Sequence, residues 1–489
     1  MLHRFGWITH RLDALRENTP SQASEILEKV GTPLDENFAQ ALRDIPEGKY
    51  HYAHRLFQCL VAAIRPLSLK ELADISEELD SNAGPHEVAV LSACTALISR
   101  ARDKDNLTIV QFYHESVKEF LTSSRLRTSS IENCSRYHFT PKAADATLAR
   151  VCINVLLRFD KNVEKRDLEQ SSPLALYAAQ YWVQHTLQGN AASENQGLME
   201  QLFDPSESHL DAWIWMHDVD KGQSRTMKEL AGRPSQRSAT PLYYAALCGF
   251  TELVKHLASF GLHDSDGYYG TPLHAASYKG HYDVVLALLD NDTKDKKVNG
   301  KTPLHAAYYG KQPEIMELLL EKGADVDAKG ALDNTLLHCA ALDGRMKEVE
   351  LLLKYEPDIN ARNKNGWTPL HRAALRGRLD IAEHLLGFKP KDEHDEKPDV
   401  NARSNNENTP LHVAAIAGKF QMVELLLRHD ADRDLKGEHG WIPVEAADKN
   451  RHEKIVERLS RGWWAASEIR WQIDRRVDRL RQRYTLGLV

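Results

Sequence analysis

The C-terminal half of the sequence repeats one pattern of apolar and polar positions. Each unit opens with a short run of small and apolar residues, and a second, leucine-rich segment follows, as in EIMELLLEKGADVD from residue 314. Apolar residues at steps of three and four predict an amphipathic helix. Each unit is therefore expected to hold two short helices. The opening hexapeptides begin at residues 240, 271, 302, 335, 368, 409 and 442, with spacings of 31, 31, 33, 33, 41 and 33.

The opening hexapeptide has the chemistry of a helix start. In TPLHAA, the hydroxyl of Thr302 can cap the helix, and Pro303 suits the first helical position because its missing N–H would have no partner there. Polar stretches such as NKNG from Asn363 predict the turns that link the units. Units that bury their apolar faces only against their neighbours form a solenoid.

A period near 33 with the motif T-P-L-H-x-A strongly resembles the ankyrin-repeat family, over about residues 236–460. The resemblance implies a mainly α-helical protein with an ankyrin α-solenoid of about seven units. We expect a recurring set of residues to build the repeat turns. These are Thr271, His274, Thr302, His305, His338, Thr368, His371, Thr409 and His412.

Two catalytic interpretations of the array fail on spacing. Gly300-Lys301-Thr302 matches the end of a phosphate-binding loop, but Asp295 stands where that loop needs a glycine, and polar turn residues replace the preceding strand. The histidines recur one repeat apart, which is roughly 10 Å and too far for shared metal ligation. We expect each histidine to bond the turn of its own or the adjacent repeat. No catalytic residue, cofactor or metal site is predicted.

Residues 50–125 have the pattern of a small mixed domain. Helices are predicted from His54 to Ile64, from Leu69 to Leu79 with Ser68 as cap, and from Pro85 onwards, before an alternating strand at 107–112.

Three segments of the N-terminal half resemble the region that follows the nucleotide-binding core in fungal NACHT–ankyrin proteins, which are NLR-like (STAND) proteins. They are FGWITHRLDALR from Phe5, VQFYHESVKEFL from Val110 and YAAQYW from Tyr177. The resemblance implies a helical tail at 1–49, a winged-helix-like domain at 50–125 and a helical linker at 126–235. The family's phosphate loop is absent, so its NTPase activity is not expected here. Both a truncated gene product and a regulator without the NTPase core stay open.

A winged helix can bind DNA, but the predicted recognition helix argues against that role. Residues from Pro85 to Ile98 contain no lysine or arginine, whereas base readout depends on basic and amide side chains. We expect this domain to have a protein-contact role or a structural role.

The composition of the chain limits the classes of partner and the cellular compartment that we expect. A net charge of -7 over 489 residues argues against whole-molecule attraction to nucleic acid or anionic membranes. The six cysteines show no C-x-x-C pair, and no stretch reaches the roughly 18 apolar residues of a membrane span. An intracellular protein of the cytoplasm or nucleus is expected. The basic, amphipathic segment 461–489 is predicted to be a helix that caps the array or, alternatively, binds a partner.

One position of each repeat is a candidate for partner binding. The residue seven places after the repeat's first residue is apolar or aromatic in six units: Leu247, Tyr278, Tyr309, Leu342, Leu375 and Ile416. These side chains either pack between neighbouring first helices or form a stripe that a partner contacts. Tyr308 stands where the family prefers a small residue, which predicts a local change in helix packing. The insertion at 387–398 predicts an exposed loop.

The sequence therefore predicts a non-catalytic scaffold or regulator that binds a protein partner through the ankyrin groove, with no small-molecule substrate. Two alternatives remain: a transcriptional coregulator that contacts DNA through the winged-helix-like domain, and a NACHT-type regulator acting with a separate nucleotide-binding subunit.

Overall fold

The computed structural model describes residues 35–36, 38–79, 97–102, 107–112, 115–127, 134–221, 223–224, 239–260, 267–289, 295–389 and 397–460. The chain divides into two compact units, residues 1–262 and 263–489. The N-terminal tail up to residue 34, most of the predicted recognition helix, part of the 387–398 insertion and the C-terminal segment 461–489 lie outside the described residues.

The first unit contains a small antiparallel sheet beside two helices. Its elements are α1 (Tyr50–Ala62), β1 (Leu67–Ser68), α2 (Leu69–Leu79), β2 (Ile98–Arg102) and β3 (Thr108–Phe112). Strand β3 lies between β1 and β2. Ser68 caps α2 as predicted, because its hydroxyl accepts the Glu71 N–H at 3.2 Å while the Glu71 carboxylate accepts the Ser68 N–H at 2.6 Å.

Helices follow the sheet in the same unit. They are α3 (Glu115–Thr122), α4 (Ser124–Arg127), α5 (Pro141–Leu156), α6 (Lys165–Ser171), α7 (Ala175–Gln188), α8 (Gln196–Leu202) and α9 (His209–Met216), before a two-stranded sheet of β4 (His217–Asp218) and β5 (Gln223–Ser224). Helix α5 packs against α1, α2 and α7. The sheet region and the following helices therefore share one core.

A buried carboxylate ties the two parts of this core together. Asp74 in α2 accepts hydrogen bonds from Arg158 Nη1 at 2.7 Å, from Ser172 Oγ at 2.6 Å and from the Leu174 N–H at 3.1 Å. It is 4% exposed. A carboxylate this buried is tolerated because all of its charge is met by donors.

The first helix pair of the repeat region belongs to the first unit. It consists of α10 (Pro241–Cys248) and α11 (Thr251–Ala258), and α11 packs against α8. The Trp182 ring lies 5.2 Å from both the Trp213 and the Phe250 ring centroids. This aromatic cluster fastens the first pair to the preceding helices.

The second unit contains six more helix pairs among the described residues. They are α12 (Pro272–Lys279) with α13 (Tyr282–Leu289), α14 (Pro303–Gly310) with α15 (Pro313–Glu321), α16 (Leu336–Asp343) with α17 (Met346–Lys354), α18 (Pro369–Arg376) with α19 (Leu379–Gly387), α20 (Pro410–Ile416) with α21 (Phe420–Arg428), and α22 (Pro443–Lys449) with α23 (Glu453–Ser460). First helices pack on first helices, and second helices on second helices.

The end of α14 shows how closely these helices approach. A Cβ added at Gly310 would lie 2.0 Å from the Tyr278 carbonyl oxygen of the preceding repeat. Helix α14 therefore ends in Gly310, and Lys311 takes the left-handed conformation (φ 60°) that glycine takes after most other first helices.

Candidate interaction surface of the repeat array

The starts of five first helices are each held by a threonine and a histidine that bond one another. The hydroxyl of Thr302 accepts the His305 N–H at 3.4 Å, and His305 Nδ1 lies 2.9 Å from that hydroxyl. In three later repeats the threonine N–H also donates to the histidine Nδ1. These bonds are Thr335 to His338 (3.2 Å), Thr368 to His371 (3.1 Å) and Thr409 to His412 (3.2 Å).

The other ring nitrogen reaches the next repeat. Nε2 contacts a backbone carbonyl just before the next capping residue in four repeats: His274 to Lys301 (2.9 Å), His338 to Trp367 (2.8 Å), His371 to Asn408 (3.0 Å) and His412 to Trp441 (3.0 Å). Each of these histidines thus joins its own turn to the following one. His305 Nε2 is buried and has no partner among the described residues.

This bonding requires neutral imidazoles. Nδ1 accepts an N–H, so it carries no proton, while Nε2–H donates to the carbonyl. Burial, the largest cause, lowers the pKa of His305, His338 and His371 to about 4, and it also lowers the pKa of His412. The histidines therefore act as hydrogen-bonded parts of the turns.

The six residues of the predicted stripe differ in exposure. Leu247 is buried in the first unit, and Tyr278, Leu342 and Leu375 are half-buried. Tyr309 is 40% exposed and Ile416 is 38% exposed. Burial and a hydrogen bond with Cys339 raise the pKa of Tyr309 to about 12. Five of the six thus offer surface on the second unit, and Leu247 does not.

Aromatic residues at the turn tips extend this surface, although the repeat motif alone did not reveal them. Tyr268 is 67% exposed, and its neighbour Tyr269 stacks on Tyr278 with ring centroids 4.5 Å apart. Trp367 and Trp441 occupy the position directly before the next repeat's first residue, where they are half-buried. The sequence signal that could have revealed the two tryptophans is this shared position relative to the repeat.

Cations lie against these rings. Four lysine or arginine side chains approach an aromatic ring on the tip and first-helix face: Lys279 on Tyr269 (5.4 Å), Lys301 on Tyr309 (4.9 Å), Arg372 on Trp367 (5.2 Å) and Lys449 on Trp441 (5.8 Å). Such pairs are stabilised by the ring quadrupole. We call this face, formed by the turn tips and first helices of the second unit, the tip face.

Tyr308 is accommodated by a polar pocket of its own. Its ring is fully buried, its hydroxyl donates to Asp343 Oδ2 at 2.7 Å, and the Arg345 guanidinium lies 4.3 Å from its ring centroid. Burial and the Asp343 carboxylate raise its pKa well above the usual value. The bulky residue therefore fills the space between α14 and α16 that small residues occupy elsewhere.

Comparison with protein families matches four stretches of the chain. Residues 215–298 and 261–330 match a family described as ankyrin repeats (3 copies), and residues 337–386 and 393–447 match two families described as ankyrin repeats (many copies). The C-terminal region contains ankyrin repeats. The predicted mainly α-helical fold with this repeat is confirmed. No curated protein matches the chain.

Ankyrin repeats are in general protein–protein interaction modules, and proteins built from them are typically not catalytic. The matches begin at residue 215, so the NACHT-like and winged-helix resemblances of the preceding residues stay predictions. Within the described ranges, no group of three histidine, cysteine or acidic side chains could hold a metal ion. No helix in that part of the chain is long and apolar enough to cross a membrane.

Proposed function

We propose that this protein is an interaction scaffold that binds a protein partner through the tip face. The observation that supports the proposal is the set of large apolar and aromatic side chains that are exposed there. Tyr268, Tyr309, Leu332 and Ile416 are between 38% and 67% exposed. Large exposed apolar side chains gathered on one face usually mark an interface, and aromatic residues dominate binding energy at such sites.

A comparison of two double variants tests this proposal. Tyr309→Arg with Ile416→Arg places two charges on the tip face, where both side chains are partly exposed. Tyr282→Arg with Phe420→Arg places two charges on second helices, at residues 46% and 39% exposed. Both proteins should fold, because each replaced side chain already meets water.

The tagged full-length chain and both variants are expressed in the native cell, and bound proteins are identified by mass spectrometry after crosslinking. We expect a partner of the wild-type protein to be lost from the tip-face variant and retained by the second-helix variant. Retention of every partner by both variants would show that the tip face does not carry the interaction.

We propose in addition that residues 50–125, in the parts that the structure describes, form a winged-helix-like arrangement. The order of the elements along the chain supports this proposal. A helix (α1), a strand (β1) and a second helix (α2) are followed by two strands (β2 and β3), and β3 lies in the middle of the sheet. A protein-contact role is expected for it. Titrating labelled duplex DNA at increasing salt tests the coregulator alternative, because phosphate contacts give an affinity that falls steeply with salt. We expect no such binding.

A further inference from the structure

Arg372 places a charge where the other repeats have none. It lies four residues after Thr368, and the corresponding residues elsewhere are Tyr244, Ala275, Ala306, Cys339, Val413 and Ala446. In α18 its side chain is half-buried on the tip face. Because a guanidinium keeps its proton at neutral pH, this repeat carries a permanent positive charge at that position.

Neutral groups hold this guanidinium within the described residues. Arg372 Nη2 donates to Asn334 Oδ1 at 3.1 Å, and the guanidinium carbon lies 5.2 Å from the Trp367 ring centroid. The same Asn334 oxygen accepts Asn363 Nδ2 at 2.8 Å, which orients the amide oxygen towards the arginine. Among the described side chains, no carboxylate pairs with Arg372.

Arg158 in the first unit shows the usual arrangement, in which carboxylates pair with the guanidinium. The carboxylates of Asp74 and Glu78 bind its guanidinium and outweigh the effect of burial, so its pKa is raised. Burial lowers the pKa of Arg372, and among the described residues the nearby Cys339 thiol opposes this effect. Burying a cation without a counter-charge is unfavourable. Arg372 can therefore bind a carboxylate that the described residues do not supply.

The surroundings of Arg372 define what such a ligand must look like. Lys301, Lys364 and Arg376 are exposed cations in the same three repeats of the tip face. The acidic residues in the turn tips and first helices of these repeats are Asp333 and Asp343, and Asp343 already accepts the Tyr308 hydroxyl. Apolar surface borders this cationic region. It comes from Tyr309, Leu332, Leu342 and Leu375.

We propose that Arg372 binds an aspartate or glutamate side chain of an extended segment in the protein partner, and that apolar residues flanking this carboxylate contact Tyr309, Leu342 and Leu375. A guanidinium can donate two parallel hydrogen bonds to one carboxylate, which fixes orientation as well as affinity. The excess of cations on this face attracts an acidic segment. This inference rests on the proposed function, because it assigns a partner chemistry to the same surface.

Selection of displayed random peptides on the full-length chain tests the chemistry, and it does not require the partner to be identified. We expect the selected peptides to share an acidic residue next to apolar ones. Selection on Arg372→Gln should lose the preference for the acidic residue, whereas selection on Arg376→Gln should keep it, because Arg376 is an exposed cation one turn further along the same helix.

One selected peptide and its analogue with the acidic residue replaced by the matching amide are then measured by fluorescence anisotropy. We expect Arg372→Gln to weaken the acidic peptide about 10- to 100-fold, as for a hydrogen-bonded charge pair. It should change the affinity of the amide analogue by less than about threefold. Equal losses for both peptides would show that Arg372 does not read the carboxylate.

Other outcomes separate the two proposals. Peptides that bind and are lost with Tyr309→Arg and Ile416→Arg, but lack an acidic residue or ignore Arg372→Gln, would overturn the carboxylate assignment and leave the tip-face interface intact. Peptides that ignore the tip-face variant, or no selected peptides at all, would overturn both. Binding only when a phosphoserine replaces the acidic residue, or only of single-stranded DNA, would assign Arg372 to phosphate.

Stability gives an independent check. Since Arg372 lacks a carboxylate within the described residues, Arg372→Gln should melt at the same temperature as the wild-type chain or higher, as expected for a residue kept for binding. A marked fall in melting temperature would instead make Arg372 a structural residue and contradict the proposal.

Discussion

Mild acid is expected to destabilise the repeat array through its buried histidines. His305, His338 and His371 have their pKa lowered to about 4, and Nδ1 of each accepts the N–H of its capping threonine. In the unfolded chain the same group titrates near pH 6.5. Because the folded pKa is the lower one, the unfolded chain binds more protons between about pH 4 and pH 6.5. The stabilisation is complete above that range and is lost as the pH falls through it.

The size of the effect follows from these pKa values. For one histidine that titrates near 6.5 when unfolded and near 4 when folded, lowering the pH from about 7.5 to about 5 costs about 2 kcal/mol of unfolding free energy. The three histidines act in successive repeats, where each protonation breaks the hydrogen bond that Nδ1 accepts from its own capping threonine.

Hydrogen exchange can measure this locally, because the chain has more than one unit and a single melting curve would mix them. Unfolding free energies for amides of residues 335–371 are obtained at both pH values after correction for intrinsic exchange. We expect a fall of about 2 kcal/mol or more in the wild type.

Two histidine variants decide the cause. In His338→Gln the protein should be less stable at neutral pH, and its pH dependence should shrink by about 2 kcal/mol. His384→Gln should behave as wild type, since His384 is 50% exposed. If His338→Gln kept the full pH dependence, the buried imidazole would not be its source.

Three further changes test the packing by thermal denaturation. Tyr308→Phe should lower stability by about 0.5 to 1.5 kcal/mol because it removes the hydrogen bond that the Tyr308 hydroxyl donates to the exposed Asp343 carboxylate; an unchanged melt would contradict that role. Gly310→Ala should destabilise the protein strongly, since the new Cβ meets the backbone of the preceding repeat. The matched control is Gly387→Ala, where the backbone is helical and the Cβ meets no atom; this change should be neutral or stabilise the protein by up to about 1 kcal/mol. Asp74→Ala should cost about 3 to 5 kcal/mol, because it leaves the Ser172 and Leu174 donors unmet and Arg158 paired with Glu78 alone, and a smaller loss would show that water replaces the carboxylate.

Much of the repeat region could be predicted because its information is local. Capping threonines, prolines at the first helical position and apolar steps of three and four act within one turn of a helix. Stacking then places equivalent residues of successive repeats side by side. The helix pairs and the candidate stripe, including Tyr309 and Ile416, follow from such spacing. The spacing did not predict which of these side chains are exposed, because Leu247 has the same spacing and is buried.

The remaining features arise from contacts between distant segments, which no local pattern encodes. The Asn334 partner of Arg372 is 38 residues away, and the Asp343 partner of Tyr308 is 35 residues away. Packing of the first repeat into the N-terminal core depends on Trp182 and Phe250, which lie in different helices. The sequence by itself determined the repeat, its caps and its period, since these depend on neighbours along the chain. Only the tertiary structure decided which side chains are exposed and which charge has no counter-ion among the described residues, since burial and pairing depend on neighbours in space.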